Sequence, residues 1–130
     1  MKKLAIFFLI IIAIVSTILY IYLNNTVINK NAQKENYKFE VYAKQEIYGS
    51  ELTTLINKAI DYNEKNKDDE LNIDIKFLDN DTTYNIIKIY NKGTNEFYSY
   101  YKDIKFKNTE IQYYKTNKKI KYMLFEQITQ

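Results

Sequence analysis

Hydrophobic positions are distributed in two ways along this chain. From Leu4 to Leu23 they are continuous, LAIFFLIIIAIVSTILYIYL, without one charged residue; after Leu23 they come in short periodic groups separated by Asn, Lys and acids. As a helix, the first run spans about 30 Å, the thickness of bilayer hydrocarbon, and reads as a single membrane span. From Asn24 to Glu46 there is no Pro or Gly to stop the helix, so the pattern predicts its continuation as a polar stalk with a ragged stripe at Val27, Ala32, Phe39 and Ala43. A helix break is expected at Tyr48 to Ser50, with Gly49 ending one helix and Ser50 capping the next. Leu52, Leu55, Ile56, Ala59, Ile60 and Asn63 then keep the i, i+3, i+4, i+7 spacing of one helical face.

The period changes to two after the charged connection Asn63 to Glu70. Leu71, Ile73, Ile75 and Phe77 alternate with Asn72, Asp74 and Lys76, which predicts a strand with one wet face. Turn chemistry at Asn80 to Thr83 followed by β-forming Tyr84 to Tyr90 predicts an antiparallel hairpin, ended at Lys92 to Asn95. Phe97, Tyr100, Tyr101 and Ile104 return to helical spacing over about two turns. Lys105 to Tyr114 and Lys119 to Ile128 read as two further strands, the first with a bulge at Asn108 and Thr109 or a start after Asn108, the second apolar on both faces and therefore central or covered. The expected fold class is α+β: a transmembrane helix and helical stalk, then an amphipathic helix packed on an antiparallel sheet of about four strands in two hairpins.

Flanking charge sets the expected topology. Lys2 and Lys3 abut the span, whereas the first lysine beyond it is Lys30; basic residues favour the cytoplasmic side, although Lys30, Lys34 and Lys38 also fall near the far end. The expected organisation is residues 1–3 in the cytoplasm, 4–23 in the bilayer, 24–48 as a helical stalk or linker, and 49–130 as an extracytoplasmic domain. A cleaved secretory signal shares the basic start, but the apolar run exceeds the usual length of about 7 to 15 residues and carries no Ala-x-Ala site. Tyr20, Tyr22 and the Asn24–Asn25 pair resemble an interfacial boundary, so a retained anchor is expected.

Composition narrows the chemistry. The 130 residues include no Cys, His or Pro and two Gly, and all 19 basic residues are Lys. Disulfides, a lipidated Cys, Ser-His-Asp or Cys-His catalysis and His-based zinc sites are excluded by residue type. Paired carboxylates suffice for glycoside hydrolysis, yet every acid can be placed on a wet face or in a turn. Asp79-Asn80-Asp81-Thr82 and Asp68-Asp69-Glu70 lack the Gly and distal Glu of an EF-hand loop and read as solvated turns. Gly49 and Gly93 stand alone, so no phosphate-cradling glycine loop exists, and the sequence calls for no cofactor or metal.

Charge is polarised. Glu40 to Asp81 holds eleven acids against five lysines, while Thr82 to Gln130 holds nine lysines against four acids. Lys105 and Lys107, with Lys119 and Lys121 across the expected hairpin, are the candidate contact residues for an anionic partner beside Tyr113 or Tyr114: wall polymer, lipid headgroup or acidic protein surface rather than nucleic acid. The plainer reading is that they solubilise a sheet face and discourage edge pairing.

The plan of an N-terminal hydrophobic helix running into a small antiparallel sheet domain resembles pilin-like proteins. The resemblance is architectural: Met1-Lys2-Lys3 leads directly into Leu4 without a glycine-ended leader, and no carboxylate precedes Glu35, so no functional residue carries over. The sequence therefore predicts a non-enzymatic, single-pass envelope protein, held in the bilayer through Leu4 to Leu23, whose outer domain binds or scaffolds an envelope protein. The alternatives are a glycan- or wall-fragment-binding or carboxylate-dependent hydrolytic domain, in which a pocket joins Tyr98, Tyr101, Tyr113 or Tyr122 to a pair of acids, and an atypical pilin-like subunit of a secretion or surface-appendage assembly.

Overall fold

The computed structural model describes residues 2–130. It is an α+β chain with one long N-terminal helix and a mixed five-stranded sheet. Helix α1 (Lys2–Glu40) is continuous from the apolar run through the stalk. The apolar half is uncovered: the residues from Leu4 to Leu23 are exposed, and this is the one described helix long and apolar enough to cross a membrane. Thr17 and Thr26 donate their hydroxyls to the carbonyls of Ala13 and Tyr22, which removes the cost of leaving them unpaired in an apolar setting.

The stalk ends earlier than the residue pattern suggests. Tyr42 and Ala43 donate to the carbonyls of Phe39 and Glu40, and these tighter i to i−3 bonds close α1 at Glu40. The chain then turns so that the short strand β1 (Ile47–Tyr48) enters the sheet with Ile47 buried. Gly49 does not end a helix; it opens α2 (Gly49–Lys65). A Cβ at Gly49 would run into the Tyr101 carbonyl, so the residue is small because another backbone passes over it. Ser50 makes no side-chain cap. The first amides of α2 are satisfied instead by that passing backbone, Gly49 donating to Ile104 O at 2.7 Å and Ser50 to Lys102 O at 3.2 Å.

The predicted amphipathic face of α2 is the buried one: Leu52, Leu55, Ile56 and Ala59 are fully covered. Asn63, at the polar end of that face, works as a splint. Its side chain accepts from Leu71 N at 2.7 Å and donates to Leu71 O at 2.8 Å, which fixes the entry into β2 (Asn72–Lys76). Ile73 and Ile75 are buried as the alternation requires, and Asn72, Asp74 and Lys76 lie on the opposite face.

The expected second strand of the first hairpin is largely replaced. β3 covers only Thr83–Asn85, and Ile86–Ile89 forms a helical turn, α3. Asn85 caps it, its side chain accepting from Lys88 N at 3.0 Å. Ile86 and Ile87 are both buried, which a helical turn permits and a strand beside the half-wet β2, sending neighbours to opposite faces, does not. Gly93, with φ +152°, lies in the link to α4 (Asn95–Tyr101), the short helix expected around Phe97 to Ile104. Phe97 inserts fully and stacks near Tyr90, Tyr101 and Phe106.

Strands β4 (Lys105–Tyr113) and β5 (Ile120–Gln127) form the expected antiparallel hairpin. The sheet order is β1-β4-β5-β2-β3, with β2 parallel to β5. The four-stranded, wholly antiparallel sheet is thus corrected to a mixed five-stranded one. Alternation states which way side chains point but not which strand lies alongside, and the long connection from β2 through β3, α3, α4 and β4 permits the parallel pairing. β5 is central, as its two apolar faces imply. Asn108 pairs with Phe125 and Glu110 with Leu124, leaving Thr109 as the bulge; a second irregularity lets Tyr113 face Ile120 and Gln112 face Tyr122. The extra residue, Lys121, turns Ile120 to the same buried side as Met123 and Phe125.

Candidate functional site

The end of α1 is built into the domain. Ala32, Asn36 and Phe39 recur at helical spacing and are buried. Phe39 meets the Tyr62 ring edge-on at 5.4 Å, and Glu40 accepts a hydrogen bond from the Tyr113 hydroxyl at 2.9 Å. Asn36 does for β5 what Asn63 does for β2: its side chain accepts from Ile120 N at 2.9 Å and donates to Lys118 O at 2.9 Å. Lys118 has φ 63°, and the turn from Tyr114 to Lys119 is closed by backbone bonds between Tyr114 N and Lys119 O and between Lys118 N and Tyr114 O. One helix end therefore grips the β4–β5 turn without a side-chain hinge.

Between this end of α1 and α2 lies a polar groove of about 490 Å³ lined by Glu35, Lys38, Lys58, Asp61, Tyr62, Lys65, Asn66 and Lys119. Its cations are mostly engaged. Lys38 pairs with Glu35 at 3.5 Å, Lys119 with Asp69 at 3.9 Å, and Lys58 Nζ donates to the Tyr42 hydroxyl at 3.0 Å. The groove has the charge to receive an anionic group at its open side, with Lys65 making no ion pair among the described residues.

The four lysines read from the sequence occupy different places. Lys105 lies 5.5 Å over the Tyr48 ring and Lys107 faces Glu126 across the hairpin, while Lys121 lies 5.9 Å over the Tyr114 ring and Lys119 enters the groove. The register puts the first pair at one end of the hairpin and the second at the other. Lys38, Lys58 and Lys65 were missed because they sit on two different helices, and only the packing of α1 against α2 gathers them.

The tyrosines flagged as pocket candidates separate. Tyr101 belongs to the aromatic cluster, Tyr98 is exposed, Tyr113 meets Glu40, and Tyr122 donates to Asp74 at 3.0 Å on the wet sheet face. Burial, helped by the Asp74 hydrogen bond and charge, pushes the Tyr122 hydroxyl up to about 12. Burial likewise raises Tyr62, Tyr113 and Tyr114, with Asp69, Glu40 and Asp69 respectively adding to it. These hydroxyls remain neutral hydrogen-bond donors across physiological pH. Among the described residues no carboxylate is buried and no cluster of three acidic side chains has metal-holding geometry. No protein-family model, curated protein or solved structure matches this chain.

Proposed function

We propose that the chain is a single-pass envelope protein, anchored through Leu4 to Leu23 with its N-terminus in the cytoplasm, whose outer domain binds or scaffolds another envelope component without catalysis of its own. The observation that carries this reading is the double character of α1: an uncovered apolar half and an end buried in the domain. Such a helix is a rigid mount. Residues Asn24 to Asn31 set the domain off from the bilayer by about 12 Å at 1.5 Å per residue. A mount of fixed height and orientation suits presentation of a surface to a partner in the same layer of the envelope.

Protease added outside spheroplasts should remove the region after Leu23 and spare an N-terminal tag; protection of the domain with the tag exposed reverses the topology. Crosslinking in native membranes should then yield a discrete partner, and recovery of the monomer alone overturns the scaffold role. The second reading, binding of an anionic glycan or wall fragment, has the lysine-lined groove in its favour. Loss of crosslinks on soaking membranes with wall fragments supports it.

A further inference from the structure

The packing of α1 states which end of the domain faces the bilayer. As the chain advances from Phe39 near the end of α1 to Tyr42 just past it, the facing residue on α2 steps back from Tyr62 to Lys58. α2 therefore points its C-terminus toward the apolar half of α1. β2 leaves that end, β5 runs parallel to β2, and so β5 begins there too. The β4–β5 turn and the loop 66–70 share this end and are tied together: Asn117 donates to Asp69 at 2.7 Å and the Tyr114 hydroxyl to Glu70 O at 2.6 Å.

The turn reads Lys115-Thr116-Asn117-Lys118-Lys119. Lys119 is taken by Asp69, but Lys115 and Lys118 are exposed and make no ion pair among the described residues. Lys30 and Lys34, on the stretch of α1 between the span and the domain, are exposed and unpaired in the same way. Glu64, Asp68 and Glu70 also lie at this end, and Lys65 and Lys67 offset two of them. The balance is positive.

Distance permits contact. Asn36 holds the turn, and from Leu23 to Asn36 α1 rises about 20 Å, of which headgroups occupy roughly 5 to 7 Å. The remainder, about 13 to 15 Å, is comparable to an extended lysine side chain plus a Debye length of about 8 Å. An ordinary span tilt of about 20° lowers the turn further.

We propose that the β4–β5 turn contacts anionic lipid headgroups through Lys115 and Lys118, so that the rigid α1 converts lipid charge into a set tilt of the whole domain. This rests on the reading of Leu4 to Leu23 as a membrane span. The chain has no cysteine, so Thr116→Cys gives one labelling position in the full chain. Reconstituted into vesicles, the label should transfer energy to headgroup acceptors more strongly when phosphatidylglycerol is added to phosphatidylcholine, and high salt should abolish the difference. Lys115→Gln and Lys118→Gln should each lower the ratio of docked to undocked domain about fivefold. Neither side chain holds the fold, since Asn36 engages the Lys118 carbonyl rather than its ammonium. Equal transfer in the two lipids, or no change in the double Gln variant, overturns the headgroup contact while the anchor stands. Failure of the chain to float with vesicles overturns the anchor and the contact together.

Discussion

The two halves of α1 use the same secondary structure for opposite purposes. From Leu4 to Leu23 apolar side chains cover every side of the helix and touch no other element, so their burial requires a surrounding apolar phase. From Ala32 to Phe39 only one stripe is buried, and polar Asn36 lies in the middle of it. The first half has no preferred direction around its axis. The second has one, because Asn36 can satisfy Ile120 N and Lys118 O from a single rotation of the helix. Hydrophobicity alone sets no rotation about the axis, whereas directional hydrogen bonds fix one.

That contrast can be broken by substitutions that should affect one half alone. Phe39→Ala removes a ring packed in the core and should cost the domain about 3 to 5 kcal/mol in denaturant unfolding of the full chain in detergent. A loss below about 1 kcal/mol would show that the last turns of α1 are not part of the core. Ile12→Lys should oppose membrane insertion by about 3 kcal/mol, read as the membrane-integrated fraction, and leave the domain's unfolding midpoint unchanged. Asn36→Ala strands a buried amide and a carbonyl and should cost about 2 kcal/mol, with membrane integration unaffected.

The smallest effect sharpens the comparison from the wet face of the sheet. Tyr122→Phe should cost about 1 kcal/mol or less near neutral pH, since a partly exposed hydrogen bond is lost. The Tyr122 hydroxyl sits at about 12 in the folded chain against an ordinary 10.0. Its stabilisation is therefore complete below about pH 10 and is lost as pH rises toward 12, because the unfolded chain releases this proton first. The gap between Tyr122→Phe and the parent should narrow over that window. A constant gap would show that the proton is not held by the fold.

Some features were legible because they depend on neighbours along the chain. The uninterrupted run to Leu23, the covered face at Leu52, Leu55, Ile56 and Ala59, the alternation at Ile73 and Ile75, and the change of phase at Thr109 are local periodicities, and each appears where its period places it. Others were misread because the deciding atom is remote. Gly49 looked like a helix terminator, but the Tyr101 carbonyl dictates it. Ile86 and Ile87 looked like strand residues, but two adjacent buried side chains required a helical turn. Of the candidate lysines, Lys119 alone lines the groove, whose other cations come from α1 and α2.

By itself, then, the sequence determined the apolar helix, the faces of most elements and the residue types open to chemistry, since period and composition are properties of the chain. The tertiary structure alone decided which strands are neighbours, that β2 runs parallel to β5, and that α1 ends as a gripped part of the domain. Those outcomes depend on hydrogen bonds and packing between residues remote in sequence, such as Asn72 with Tyr122 for the parallel pair and Asn36 with Lys118 and Ile120 for the helix end, and no local pattern encodes them.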